Sequence, residues 1–351
     1  MIFILFSAKF VLWLMAKKIA QRNNKMTNKI CGIQMDPLDT VKINLDSSFA
    51  LGVEAQRRGY QIFHYLPTDV TYHAAKGRVM ARGQFVRFHN DPANPFSDHR
   101  PVAAQPLDEC QVILLRQDPP FDMSYITSCH LLEMLQHQAG TMVVNNPRAV
   151  RSSPEKLAVL YFADLMPPTI ISADLHALQS FHDDMGQMIL KPLFGKGGSG
   201  VAYLGPGDPN LAVYYELHQQ AEPNVPLMAQ GFIKNVSRGD KRIILVDGEA
   251  RGWFNRTPVA GQVRANTAAG GGLAACDLTD RDKEIVARLK PWLQQEELWF
   301  VGIDVIDGFL TEINVTSPTG IPTSDRLMGT KVAVDTWDMI EKKLVAQGKA
   351  A

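Results

Sequence analysis

Short apolar runs alternate with stretches of helical spacing between residue 29 and Asn145. Four of the runs are predicted strands: Ile30–Met35, Gln61–Tyr65, Val112–Arg116 and Met142–Val144. Two intervening stretches carry apolar residues at helical intervals: Ser47–Arg58 and Tyr125–Gln138. Strands that alternate with helices are typical of a doubly wound sheet. We therefore predict an α/β domain over residues 29–147.

Prolines interrupt this pattern between Phe88 and Leu107. They occur at Pro92, Pro95, Pro101 and Pro106. Because proline lacks a backbone N–H and punctuates regular structure, we predict an extended surface loop here.

A helix start marks the beginning of a second predicted domain, residues 148–345. Ser153 can cap this helix, with Pro154 at its first position. Lys156 would then lie in the first turn, beside the positive end of the helix dipole. A bound phosphate would favour a cation there. The alternative is a solvated surface lysine.

A glycine-rich loop separates two β-type runs between Met188 and Leu204. Residues 194–200, here called the flap, include four glycines with Lys196 and Ser199. Glycine lets backbone N–H groups approach phosphates closely. Because a strand follows the loop, the P-loop pattern of a helix after G-K-[ST] is not met. The residues alone leave a flexible hairpin tip as the alternative, and Lys191 is a second candidate cation.

Residues 299–315 predict a hairpin that turns at Asp307 and Gly308. Glu312 and Asn314 share one strand face. We predict a three-residue turn, because a two-residue turn would place Asp304 on the opposite face. Three oxygen-bearing side chains on one face suit a hard cation such as Mg²⁺. An exposed polar face is the alternative.

The first residues form a separate segment. Residues 2–15 are apolar except for Ser7 and Lys9, and basic residues follow. At roughly 14 residues this run is shorter than the ~20 that a membrane span needs. We predict that residues 1–28 are an extension outside the fold, with a monotopic anchor as the alternative.

Composition restricts the partners of the chain. Its 351 residues are 46% hydrophobic, and 36 basic side chains balance 36 acidic ones. That length allows a multi-domain enzyme, and the balance gives no broad positive field for nucleic acid. The four cysteines are far apart in sequence and show no metal-binding spacing, which indicates reduced thiols in a cytoplasmic protein.

Several motifs lie in separated parts of the chain. From Met35 to Arg116 they are M-D-P, D-S-S-F-A, E-A-Q-R-R-G-Y and R-Q-D-P-P-F-D. From Ile189 onward they are I-L-K-P-L, G-D-K-R-I-I-L-V-D-G-E, A-A-G-G and L-T-E-I-N-V-T-S-P-T. Together they resemble the motifs of the bacterial glutathione synthetase family, within the ATP-grasp superfamily, and the resemblance covers Lys29 to about Ile321. It implies that an ATP-grasp domain follows the N-terminal α/β domain in the chain.

The resemblance also implies roles for individual residues. The ATP-binding set is Lys156, Lys191, Gly195, Lys196, Gly197, Gly198, Ser199, Gly200, Gln230, Gly231, Phe232 and Ile233. The magnesium ligands would be Asp304, Glu312 and Asn314, with Mn²⁺ as an alternative ion. The electrostatic catalysts would be Arg242 and Arg256, and the substrate-binding residues Arg264, Asn266, Ser317 and Thr319. Residues 256–272 would form a mobile loop over the site.

The implied reaction joins γ-glutamylcysteine to glycine through an acyl phosphate, with ATP as phosphoryl donor. Family habit suggests a homo-oligomer, and neither nucleic acid nor membrane is an expected partner. Gly320, Gln262 and the F-G-K start of the flap depart from the family pattern. The alternatives are another ATP-grasp carboxylate–amine ligase, or a nucleotide-binding regulator without catalysis.

Overall fold

The computed structural model describes residues 29–195, 197–259 and 271–349. The strands are β1 (Lys29–Gln34), β2 (Tyr60–Tyr65), β3 (Val70–His73), β4 (Arg78–Phe88), β5 (Phe96–Pro106), β6 (Val112–Leu115), β7 (Met142–Val144), β8 (Thr169–Ser172), β9 (Met188–Pro192), β10 (Ala202–Leu204), β11 (Leu227–Gly231), β12 (Asp240–Val246), β13 (Glu249–Thr257), β14 (Gly272–Ala274), β15 (Phe300–Ile306) and β16 (Phe309–Asn314). The α-helices are α1 (Ser47–Arg57), α2 (Met123–Ala139), α3 (Pro147–Ser152), α4 (Glu155–Ala158), α5 (Leu175–Met185), α6 (Leu211–Ala221), α7 (Asp280–Gln295), α8 (Ile321–Met328) and α9 (Val332–Ala346). Short 3-10 helices span Leu38–Thr40, Pro67–Asp69, Ala74–Lys76, Leu107–Glu109, Val159–Leu165 and Lys234–Arg238.

The N-terminal sheet has the doubly wound arrangement that the pattern predicts. Its order is β3-β4-β2-β1-β6-β7, with β5 paired to β4. Pairs β1–β2, β1–β6 and β6–β7 are parallel. Alternate residues of these strands pack toward opposite faces, Ile113 with α2 and Leu114 with α1. The four predicted strands and two predicted helices are confirmed to within two residues at each end.

The predicted surface loop between Phe88 and Leu107 is wrong. Most of that region is β5, which pairs antiparallel with the long strand β4. Pro101 and Pro106 are tolerated because β5 lies at the edge of the sheet, where a missing N–H removes no bond to a second neighbour.

A helix does begin beside Ser153, as predicted, but Ser153 does not cap it. Asn146 is the capping residue of the preceding helix, and its side chain accepts from the backbone N–H groups of Arg148 and Ala149 at the start of α3. Pro147 occupies the first helical position there. Ser153 ends α3, and the short helix α4 begins at Glu155 without a side-chain cap.

Residues 169–231 form a small lobe with a core of its own. The antiparallel sheet β10-β9-β11-β8 packs against α5 and α6. Its buried cluster contains Leu178, Met188, Leu190, Leu204, Leu211 and Leu227.

The third sheet, β14-β13-β12-β15-β16, is antiparallel. Two buried clusters each contain residues of this sheet and of the N-terminal sheet. Ile113 and Ile303 belong to one, and Leu114 and Phe300 to the other. None of the helices within the described ranges has the length and apolarity needed to cross a bilayer. The predicted extension 1–28 lies outside those ranges.

Candidate active site

A cleft of about 300 Å³ opens between the small lobe and the third sheet. Most of the predicted site residues that the structure describes line it: Lys156, Lys191, Gly195, Gly197, Gly198, Ser199, Gln230, Gly231, Phe232, Ile233, Arg242, Arg256, Asp304, Glu312, Asn314, Ser317 and Thr319. These residues are scattered over more than 160 positions of the chain, from 156 to 319. The fold therefore brings the glycine-rich flap and the hairpin face together. Gly200 is described but is not part of the lining.

Three predicted residues lie outside the described part of the chain. They are Lys196, Arg264 and Asn266, and residues 260–270 of the predicted mobile loop lie there too.

The flap connects two antiparallel strands, as predicted. Leu190 of β9 pairs with Ala202 of β10. Gly197, Gly198 and Gly200 have φ values of 64°, 74° and 70°, a left-handed conformation that only glycine adopts at low cost. This run of positive φ explains the glycine content of the segment.

Two lysines reach the cleft from different elements. Lys156 is 5% exposed, and its Nζ donates to the carbonyl of Gly195 at 2.8 Å. The surface-lysine alternative is therefore wrong. Lys191 Nζ donates to Gln230 Oε1 at 2.8 Å, and burial lowers the pKa of Lys191. Burial removes water from the ammonium groups of both lysines. A bound anionic group would replace the lost interactions with water.

Residues 230–233 of the predicted ATP-binding set, here called the linker, line the cleft together with the flap. Gln230 and Gly231 end β11, and Phe232 contacts the ring of Tyr203 edge-on at 4.8 Å. The N–H groups of Gly231 and Phe232 already donate to the carbonyls of Pro168 and Gln187, at 2.8 and 3.0 Å. An adenine bound here would need other backbone groups of the linker.

The hairpin places Asp304, Glu312 and Asn314 on one face, but not for the predicted reason. Ile306 pairs with Phe309, so the turn has two residues, Asp307 and Gly308, at φ 48° and 79°. A β-bulge then leaves Thr311 unpaired and shifts the register, which brings Glu312 opposite Asp304. Thr311 Oγ1 donates to the Asp304 carbonyl at 3.1 Å. The three-residue turn was wrong, whereas the shared face is confirmed.

Asp304 is the centre of a buried ionic network. It accepts from Arg242 Nε at 2.6 Å and Nη2 at 3.1 Å, and lies 2.9 Å from Arg256 Nη2. Arg256 also donates to Asp240 at 2.6 Å. Burial alone would raise the pKa of Asp304, but the two guanidinium groups hold it well below its usual range.

The oxygen atoms on the hairpin face are the candidate metal ligands. Asn314 Nδ2 donates to Asp304 Oδ2 at 3.4 Å, and Glu312 Oε1 lies 3.8 Å from Lys156 Nζ. Two carboxylates and one amide oxygen match the donor chemistry of Mg²⁺. In the described ranges no three His, Cys, Asp or Glu side chains converge as a metal site. The candidate site therefore depends on Asn314 as well as the two carboxylates.

Segment 315–320 follows the hairpin and closes one end of the cleft. Ser317, Pro318 and Thr319 line it. Arg242 Nη1 donates to the Thr319 carbonyl at 3.3 Å. Gly320 has φ +123°, and a Cβ there would approach Phe254 Cε1 to 2.7 Å. A bulkier residue at this position would need local rearrangement, which accounts for glycine here.

Sequence reasoning missed three acidic residues of the cleft. They are Asp118, Glu155 and Asp240. Burial raises the pKa of Asp240 to about 6, and its Oδ1 has no hydrogen-bond donor. Burial, reinforced by the charge of Glu312, raises the pKa of Glu155 to about 7. The available signals were the G-D-K-R motif and the position of Glu155 beside Lys156.

Solved structures with the same architecture identify the class of fold. ATP-grasp ligase PsnB matches with a TM-score of 0.58 at 18% identity, over 92% of this chain and 99% of that chain. D-alanyl-alanine synthetase A from Vibrio cholerae matches with a TM-score of 0.58 at 12% identity, over 91% and 99%. The protein therefore has an ATP-grasp fold, as predicted.

Sequence comparisons identify the family within that class. The model of the prokaryotic glutathione synthetase N-terminal domain matches residues 30–151, and the model of its ATP-grasp domain matches residues 155–329. Glutathione synthetase of Rhodopseudomonas palustris is 46% identical over 318 residues, 91% of this chain and 99% of that protein. Its counterpart in Vibrio cholerae is 40% identical, over 90% and 98%. The chain belongs to the prokaryotic glutathione synthetase family and is an ATP-dependent ligase.

Proposed function

We propose that this enzyme joins γ-glutamylcysteine to glycine, with conversion of ATP to ADP and phosphate. The observation that carries the proposal is the shared cleft, in which buried Lys156, partly buried Lys191 and the flap face the candidate oxygen ligands of the hairpin. Membership of the family supports the identity of the two substrates.

The phosphates of ATP would lie between the flap and the hairpin face. Lys156, Lys191 and the N–H groups of the flap would bind their oxygens, and residues 230–233 would contact adenine. Asp304, Glu312 and Asn314 would hold Mg²⁺, or Mn²⁺ as the alternative. Such an ion supplies positive charge that neutralises the phosphates. A structure of the fold relative PsnB contains Mg and ADP, which supports this arrangement.

Arg242 and Arg256 would act on the reacting carboxylate. A carboxylate is a poor electrophile, so it first takes the γ-phosphoryl group of ATP; the glycine amine then attacks the acyl phosphate and expels phosphate. Negative charge grows on oxygen in both steps, and guanidinium groups stabilise it. No protein nucleophile is needed.

The remaining site residues would bind substrate and exclude water. Ser317 and Thr319 lie at the end of the cleft that segment 315–320 closes. Arg264 and Asn266 are proposed to contact substrate from the loop 256–272, whose closure would protect the acyl phosphate from hydrolysis. The division into domains 29–147 and 148–345, the cytoplasmic location and the homo-oligomer also remain proposals.

Another carboxylate–amine ligase reaction is the second candidate. Gly320, next to the proposed substrate residue Thr319, is the feature that favours it, because this glycine departs from the family pattern. A change at the substrate end of the cleft would allow a different amine acceptor to bind. The nucleotide end of the cleft would stay the same.

Release of ADP from purified enzyme tests both candidates. We expect turnover that requires γ-glutamylcysteine together with glycine, and no comparable rate with other amines. Turnover with a different acceptor would establish the second candidate.

Glu312→Gln tests the metal ligands in the same assay. We expect at least about a 100-fold loss of turnover, because the variant weakens the charge neutralisation that stabilises the transition state. The control is Glu216→Gln, which alters an exposed residue of α6. Full activity of Glu312→Gln would refute the metal assignment.

A further inference from the structure

The loop between β6 and α2, residues 116–122, contacts several walls of the cleft. At its start, Arg116 Nη2 donates to the Pro318 carbonyl at 2.8 Å and Nε to Ser48 Oγ at 3.0 Å. In its middle, Asp118 and Pro119 line the cleft. The loop belongs to the R-Q-D-P-P-F-D motif of the N-terminal half. It therefore connects that half with the substrate end of the site.

The far end of the same loop contacts the flap. The rings of Phe121 and Phe194 are stacked, with centroids 6.4 Å apart and planes inclined by 17°. The centroid of the Phe121 ring also lies 5.0 Å from that of Tyr125, which is fully buried in α2. Phe121 is thus backed by the core, whereas Phe194 is the first residue of the flap.

The residue after Phe194 is held as well. The carbonyl of Gly195 accepts from Lys156 Nζ at 2.8 Å. The glycines that follow have large conformational freedom, so ordering them around a phosphate costs entropy. Two contacts fix the entrance of the flap and thereby reduce that cost, one from Lys156 and one from Phe121.

We propose that Phe121 is a positioning residue that couples the substrate end of the cleft to nucleotide binding through Phe194. Substrate bound against Asp118 and Pro119 orders the loop 116–122, and the ordered Phe121 ring stabilises the entrance of the flap. Nucleotide and γ-glutamylcysteine then each increase the affinity for the other. The coupling between nucleotide and γ-glutamylcysteine rests on the proposed function, whereas the contact between Phe121 and Phe194 does not.

A double-mutant cycle tests this coupling. The variants are Phe121→Leu, Phe194→Leu and the combination, and the measured quantity is the Kd of a non-hydrolysable ATP analogue with Mg²⁺, with and without γ-glutamylcysteine. We expect each single variant to raise the Kd about two- to tenfold, the range that an aromatic pair provides. The double variant should raise it no further than one single variant, and all three should reduce the effect of γ-glutamylcysteine.

Phe96→Leu is the matched control. Phe96 also contacts two aromatic rings, Phe49 and Phe88, but lies outside the cleft. It should lower stability without changing the Kd. Additive effects of the two single variants, an unchanged Kd, or an equal effect of Phe96→Leu would overturn the proposal. A further pair of results is a wild type that does not turn over γ-glutamylcysteine with glycine and a double-mutant cycle that is non-additive without γ-glutamylcysteine. That pair of results would refute the proposed function and support the contact between Phe121 and Phe194.

Discussion

At the scale of single residues, the cleft holds a high density of buried charge. Asp304 is ionised because two arginines surround it, and Asp240 shares one of them. Removing one partner from such a network leaves an uncompensated charge. If Arg242 and Arg256 bind anionic substrate as proposed, its oxygens would compete with Asp304 for them. Both arginines already lie beside the face that carries the candidate metal ligands.

The raised pKa of Glu155 predicts how the free energy of unfolding depends on pH. Its Oε1 accepts from Thr316 Oγ1 at 2.7 Å, and its pKa rises from 4.5 to about 7 on folding. Between those values the folded state binds more protons than the unfolded state, so this carboxyl lowers stability as pH rises through 7. Glu155→Gln cannot ionise and keeps the acceptor oxygen. We expect the variant to gain stability relative to wild type from pH 5 to 8, by up to roughly 3 kcal/mol.

Urea unfolding at several pH values, without nucleotide or metal, measures this difference. Glu216→Gln, at an exposed position, should show a difference that does not change with pH. A constant difference between Glu155→Gln and wild type would contradict the raised pKa.

Residue identity predicted much of the site but not its electrostatics. Lys156, Lys191 and the three candidate ligands of the hairpin were singled out because their motifs are local in sequence, and all of them line the cleft. The pairing of Asp304 with Arg242 and Arg256 joins three strands, and no spacing in the sequence reports it. The burial that shifts the pKa values of Glu155 and Asp240 likewise depends on tertiary packing.

At the scale of elements, the hairpin of β15 and β16 has the predicted shared face although its predicted turn was wrong. Asp307 and Gly308 fit a two-residue turn with two positive φ values, as Asp-Gly favours. The bulge at Thr311 adds one residue to β16 and so brings Glu312 to the same sheet face as Asp304. This bulge has no distinctive signal in the sequence. The edge strand β5 was missed for a related reason. Whether proline is tolerated depends on the neighbours of a strand, which the local sequence does not reveal.

The start of α8 gives a prediction about backbone conformation. Gly320→Ala should lower the free energy of unfolding by about 2–4 kcal/mol, because strain at φ +123° adds to the clash with the buried ring of Phe254. Gly329→Ala, at the other end of the same helix, should cost only about 1 kcal/mol, since φ is +67° and no atom lies within 4 Å. Urea unfolding of both variants measures the difference, and equal costs would contradict the steric argument.

At the scale of the whole molecule, two buried clusters join residues from both sides of the predicted domain boundary at residue 147. The N-terminal sheet and the third sheet share two buried clusters, whereas residues 169–231 have a separate one. Periodicity along the chain cannot report this arrangement, because it shows which side chains are buried and not against what. The small lobe, which carries the flap, is therefore the part best able to move relative to the rest.

Asn145 is the residue through which we expect the two large sheets to unfold as one unit. Its side chain accepts from Phe300 N at 2.7 Å and donates to the carbonyls of Phe300 and Val315 at 2.8 and 2.9 Å. Asn145→Ala leaves these buried groups without partners and should cost about 3–5 kcal/mol. Hydrogen exchange should then accelerate together in β1, β6, β12 and β15, because the sheets share their cores. Asn94→Ala, on an exposed turn, should change neither quantity. Faster exchange confined to β15 and β16 would instead mean that the N-terminal sheet is an independent unit.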